Sequence, residues 1–154
     1  HALMKGALFL ALGCVVYRLG MANMEQMRGL GRRMPWSMAA FVIGGLSLIG
    51  VPLTVGFISK WYLIAGALER GWWPLAVAVL AASLLALVYV WRVVEVAYFQ
   101  TPAPAHADEI REAPRSMLLP TWALIIANLY FGIDTSLTVS VASQAARQLL
   151  GASG

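Results

Sequence analysis

The chain has 154 residues, 60% of them hydrophobic and only 12% charged, with a mean hydropathy of +0.75. A soluble domain of this size carries about 25% charged residues, so the composition excludes one and indicates an integral membrane protein with room for four spans of about 20 apolar residues each. The net charge of +4 does not point to nucleic acid, because the basic residues concentrate in one short loop, and the single cysteine, Cys14, allows neither an intrachain disulfide nor a metal cluster.

Residues 2–19 read as the first span, already under way at residue 1, with no basic n-region or cleavage site before it. The expectation is the C-terminal piece of a longer membrane protein. Residues 20–35 are polar and glycine-rich, hence a loop. The loop and its edge hold Arg18, Arg28, Arg32 and Arg33 against one acid, Glu25, which predicts a cytoplasmic side.

Pro35 suits the first turn of a new helix. Apolar sequence then runs over 36–68, interrupted only at Gly50-Val51-Pro52 and Gly56. One unbroken helix of that length would reach roughly 50 Å, against a hydrocarbon core of about 30 Å. Two short spans turning back at 50–52 would solve this, and so would one span of two half-helices joined by unwound backbone near 50–56. Counting Lys and Arg on each side does not separate the two. The single broken span is preferred, since each half is short for a full crossing and no polar turn lies between them.

Residues 72–99 read as the next span, opened by Trp72 and Trp73 and closed by Tyr98 and Phe99 as interfacial belts. Residues 100–116 hold three prolines and most of the acids and read as a loop, in which His106 is simply solvated. Residues 117–133 are the last span. From 135 to 150, Leu137, Val141, Ala145 and Leu149 recur every fourth residue, which predicts an amphipathic terminal helix. The expected organisation is a four-span domain over 1–134 followed by that helix. The fold class is all-α, a polytopic transmembrane bundle with one broken helix.

Lys60 is the most informative residue. An ammonium in hydrocarbon costs at least about 2.5–3.5 kcal/mol, so a lysine there needs a partner, a wet cavity or a role. Lys60 follows the break marked by Gly50, Pro52 and Gly56. Helix breaks at membrane depth bring half-helix ends and free backbone groups to ion sites. A lysine held where its charge is costly can take and give a proton. Lys5 lies in another apolar segment, with His1 one turn before it on the same face. Histidine can pass a proton between its two nitrogens, so a water relay among His1, Lys5 and Lys60 is chemically reasonable. Snorkelling or a fixed charge pair is the bland alternative. Arg92 and Glu95, at i and i+3, read as a structural ion pair, and Asp134 as a helix-end residue. Ser47, Thr54, Ser59 and Ser83 are either lining of a wet path or ordinary packing. No phosphate-cradling glycine loop or cysteine cluster is present, so no cofactor and no metal are expected.

Residues 1–10 (His-Ala-Leu-Met-Lys-Gly-Ala-Leu-Phe-Leu), 28–35 (Arg-Gly-Leu-Gly-Arg-Arg-Met-Pro) and the Gly-Val-Pro…Gly-Phe-Ile-Ser-Lys-Trp stretch of 50–61 resemble the proton-conducting antiporter-like membrane subunits. That family includes the A and D subunits of Mrp-type Na+/H+ antiporters and the antiporter-like subunits of respiratory complex I. The resemblance covers nearly the whole chain. It implies that Lys60 is the terminal proton-handling residue of a half-channel, and that Lys5, with His1, is the central lysine on the preceding span. The first half-channel would then lie outside this chain. His1 and Lys5 together look most like the Mrp D-type member.

The expected function is a membrane subunit of a cation/proton antiporter, a transporter subunit and not an enzyme. Its partners would be other membrane subunits, protons, Na+ and the lipid bilayer of a prokaryotic plasma membrane. The alternative is a proton-pumping subunit of a respiratory NADH dehydrogenase or hydrogenase complex. A membrane scaffold with purely structural charges is the third.

Overall fold

A computed structural model describes residues 1–101 and 110–149; His106 lies outside these. Among the described residues the elements are helical throughout. Helix α1 covers Ala2–Leu19, α2 Leu30–Arg33, α3 Pro35–Ile49 and α4 Val55–Glu69. Helix α5 covers Trp73–Val94 and runs directly into a wide π turn over Glu95–Phe99; α6 covers Arg115–Ile133 and α7 Ser136–Leu149. Three of them are long and apolar enough to cross a membrane: α1, α5 with its π turn, and α6. Helix α3 is apolar but shorter.

The ends follow from local chemistry. Gly20 takes a left-handed conformation (φ 78°) and donates its N–H to the Val16 carbonyl, which closes α1. Pro35 opens α3, where a missing N–H costs nothing. Pro120 sits inside α6, and the Thr121 hydroxyl donates to the Met117 carbonyl at 2.7 Å beside it. Between α6 and α7, the Ser136 hydroxyl and N–H donate to Asp134 at 2.6 and 3.1 Å. These hydrogen bonds, the hydroxyl first, hold the Asp134 carboxyl below its ordinary range.

Contacts between helices fix the direction of the chain. Gly6 lies against Leu124 and Gly13 against Met117, so α1 and α6 run antiparallel. Going up α2, α3 and α4, the neighbours on α5 and its π turn step backward: Gly31 meets Tyr98, Gly45 meets Val90 and Lys60 meets Ser83. Going the same way, the neighbours before and on α6 step forward, from Ser37 with Glu112 to Ser47 with Asn128 to Thr54 with Gly132. A hairpin would reverse both series. Helices α3 and α4 therefore continue in one direction as two halves of a broken helix.

The core joins α1, α2, α3, α6 and the π turn through Ala7, Ala11, Cys14, Leu30, Met34, Met38, Phe41, Val96 and Ile125. Tyr98 covers Gly31, leaving no room for a side chain there. The Gly29 N–H donates to the Val96 carbonyl, which ties the loop to the π turn. The outer face of α5 is apolar and exposed, including Leu84, Leu85 and Val88, as a lipid- or protein-facing helix requires.

Candidate functional site

The site is the gap between the two half-helices. A helix leaves its last four carbonyls without intrahelical donors. In α3 these belong to Leu46, Ser47, Leu48 and Ile49. Gly50, at φ 95°, turns the chain so that its N–H reaches the Leu46 and Ser47 carbonyls, and the Val51 N–H reaches Leu46. The other two carbonyls are taken by a side chain eleven and twelve residues further on. Lys60 Nζ donates to the Leu48 carbonyl at 2.8 Å, to the Ile49 carbonyl at 2.9 Å and to the Ser83 hydroxyl at 2.6 Å. Its three donors meet three oxygens. The C-terminus of a helix carries about −0.5 of an elementary charge, so the ammonium sits where a cation is favoured.

The start of α4 is satisfied in the complementary sense. The Val55 N–H donates to Asn128 Oδ1 at 3.3 Å, and the Gly56 N–H donates to Ser47 Oγ at 3.3 Å. Ser47 Oγ in turn donates to Asn128 Oδ1 at 2.9 Å. Ser47 and Asn128 are both fully buried. The amide orientation is fixed by Val55, whose N–H can only donate. Asn128 Nδ2 has no partner among the described residues.

Pro52 lies in the unwound stretch, where its missing N–H leaves no ladder bond unmade. Leu53 takes φ 73°, a conformation that L side chains rarely adopt. Gly56 places backbone directly against the Ser47 carbonyl and Met4 Sδ, so the start of α4 lies beside the end of α3. The hydroxyls divide by role. Thr54 Oγ1 donates to the Val51 carbonyl, Ser59 Oγ to the Gly56 carbonyl, and Ser83 Oγ to the Val79 carbonyl.

His1 and Lys5 stand apart from this site. They begin α1 on one edge, and the Lys5 N–H donates to the His1 carbonyl. Met4 and Ala7 take the inward face of that helix, which turns Lys5 outward. In the chain taken alone both His1 and Lys5 are exposed, and no described hydrogen bond joins either to Lys60. Arg92 and Glu95 form an exposed i,i+3 pair at 3.7 Å, the kind worth about 0–1 kcal/mol.

Sequence reasoning passed over Asn128 and Glu112. Asn128 is the only amide inside α6, a signal open to the same argument that singled out Lys60. Glu112 fell in an acidic loop and gave none. Its carboxylate accepts from the Trp36 N–H at 2.8 Å and the Ser37 hydroxyl at 2.6 Å, which caps α3 from a distance of 75 residues in sequence.

An apolar helical bundle crossed by a discontinuous helix, with a lysine fastened between its ends, defines a membrane protein of the ion-transporter class. The model of the NADH:quinone oxidoreductase/Mrp antiporter transmembrane family matches residues 1–86, and the chain belongs to that family. It is 39% identical over 151 residues to the N subunit of the NADH-quinone oxidoreductase of Desulforudis audaxviator, covering 91% of this chain and 30% of that protein. It is 32% identical over 152 residues to the D subunit of the Na(+)/H(+) antiporter of Bacillus subtilis, covering 96% of this chain and 30% of that one. Among solved structures it superposes on a chain of the Mrp complex from Dietzia sp. DQ12-45-1b with a TM-score of 0.86 and 25% identity, over 97% of this chain and 36% of that one. The chain thus spans about a third of the length of these relatives.

Proposed function

We propose that this chain forms part of a proton-conducting subunit of a cation/proton antiporter, similar to the D-type member of Mrp antiporters, and that Lys60 is its proton carrier. The observation that carries this reading is the Lys60 ammonium held by Leu48, Ile49 and Ser83 at the helix break. A group fastened by hydrogen bonds to the end of one half-helix and to a neighbouring span can exchange its proton and thereby change what holds the two halves together. Ser83 supplies a hydroxyl that accepts from Lys60 and donates to Val79, so it can orient a proton-carrying water. Lys5 and His1 are proposed as the inner members of the relay. They present an exposed edge that the remaining length of a protein three times as long would cover, with water completing the path to Lys60. Arg92 and Glu95 are assigned a structural role.

The partners in this reading are other membrane subunits of a multi-subunit complex in a prokaryotic plasma membrane, with protons and Na+ as the transported ions. A second reading is favoured by the identity to part of a quinone oxidoreductase. In it the same site belongs to a respiratory complex and is driven by redox chemistry elsewhere.

The test uses the full-length protein in its complex. Lys60→Ala and Lys60→Arg are assayed for proton flux in sealed vesicles, alongside assembly on a native gel. Loss of flux in both with assembly intact is the expected result, because arginine keeps its charge but cannot release its proton. Restored flux in Lys60→Arg would make the lysine a fixed charge and overturn the reading.

A further inference from the structure

We infer that Lys60 occupies a cation site, and that the Leu48 and Ile49 carbonyls with the Ser83 hydroxyl bind a monovalent metal cation when the lysine withdraws. The inference deepens the reading of Lys60 as a proton carrier and rests on it for the moment at which the site opens.

Three observations converge. The three atoms around Nζ are all oxygens, at 2.6–2.9 Å, and they come from two different elements, α3 and α5. Hard cations take oxygen ligands, and the C-terminal ends of interrupted helices are suited to coordinate them. The other two terminal carbonyls of α3 are already occupied by Gly50 and Val51 N–H groups. Withdrawal of the lysine therefore frees two carbonyls selectively, at the end of a helix whose partial charge favours a cation. Lastly, the plug is removable. Lys60 is half-buried and its stem runs past Gly50, which carries no side chain to confine it.

The exchange balances. A proton leaves the ammonium for water, the neutral amine swings away on its four-carbon stem, and one monovalent cation takes the three oxygens with water completing its shell. The charge at the helix break is the same before and after. No other charged side chain is described at the site. Helix α3 has no titratable residue; Tyr89, Arg92 and Glu95 of the α5 segment, Arg115 and Tyr130 of α6 and Lys5 of α1 make no described hydrogen bond to Nζ or its three oxygens. Tyr62, Glu69 and Arg70 lie further along α4 or at its end. The titration of Lys60 itself then sets the pH dependence.

The experiment is equilibrium binding of radioactive 22Na+ to the purified full-length complex across pH, comparing Lys60→Ala, Lys60→Arg and the unchanged protein. Lys60→Ala is expected to gain a site that fills independently of pH, and Lys60→Arg to have none, since its guanidinium stays charged. The unchanged protein fills the site only as pH rises. Adding Ser83→Ala to Lys60→Ala weakens binding at least about tenfold. Equal binding in Lys60→Ala and Lys60→Arg at every pH overturns the inference. Should Lys60→Ala fail to assemble, the unchanged protein against Ser83→Ala carries the test. A pH-dependent component lost in Ser83→Ala supports the site, and a component unchanged by it overturns it. Vesicle flux separates the two readings. Flux that needs Lys60 without any Na+ site leaves the proton carrier standing and removes the cation site. A Na+ site in Lys60→Ala with flux restored by Lys60→Arg does the reverse.

Discussion

At the scale of single residues, the helix break is held by polar groups that each serve an end of backbone. Lys60 serves the end of α3 and Asn128 the start of α4. Their legibility in the sequence differed for a physical reason. A charge in an apolar run is conspicuous because its cost is high. A neutral amide such as Asn128 costs less and looks like ordinary helix packing until its partner, 73 residues away, is known. Asn128→Leu removes the acceptor for the Val55 N–H and for the Ser47 hydroxyl while filling similar volume. Leaving buried donors without acceptors costs about 1–3 kcal/mol. The expected outcome is a lower unfolding temperature of the full-length complex, with a larger drop than Ser83→Ala produces; an unchanged temperature would mean that water replaces the amide.

At the scale of elements, the sequence carried the helices well and their ends only partly. Apolar length located the long helices, and proline and glycine located the break, because these residues act through their own backbone. The π turn at Glu95–Phe99 was not legible. It accommodates Tyr98 over Gly31, a contact between segments 67 residues apart that no local pattern encodes. The outward turn of Lys5 was also hidden, since apolar sequence all round α1 does not say which face meets the neighbours. Two glycines in α4 separate packing from propensity. A methyl group at Gly56 would collide with the Ser47 carbonyl and Met4 Sδ, whereas one at Gly66 would meet nothing within 4 Å. Gly56→Ala is expected to destabilise by about 1–3 kcal/mol through overpacking of backbone on backbone. Gly66→Ala is expected to be neutral or to stabilise by about 0.5–1 kcal/mol, because alanine loses less entropy in a helix. Thermal unfolding of the two variants in the full-length complex checks both. Equal effects would show that the half-helices slide apart at no cost.

At the scale of the whole molecule, the break and the basic loop lie at different levels of the bundle, and Glu112 organises the loop end. Its carboxylate caps α3 through Trp36 and Ser37, with the Ala113 N–H on Oε1 at 2.9 Å. Its backbone carbonyl accepts Arg18 Nε and Nη2 at 3.0 and 2.6 Å. One residue therefore fastens the end of α1, the start of α3 and the approach to α6, the three helices that also share the core. Helix α3 is thus gripped at both ends by side chains from distant segments, Glu112 at its start and Lys60 at its finish. A mobile Lys60 requires the other end to stay fixed, or the half-helix would shift as a body instead of opening its terminal carbonyls. Glu112→Ala removes the cap but leaves the backbone carbonyl for Arg18. Hydrogen bonds to a charged group are worth about 1.5–3 kcal/mol, and a loss of that order is expected, with proteolysis of the 20–35 loop accelerated. Glu112→Gln keeps one acceptor oxygen and should recover part of it. If proton flux falls in Glu112→Ala while assembly and Lys60 are intact, α3 acts as a rigid lever between the two grips; if flux holds while the loop end loosens, the break works as a local device.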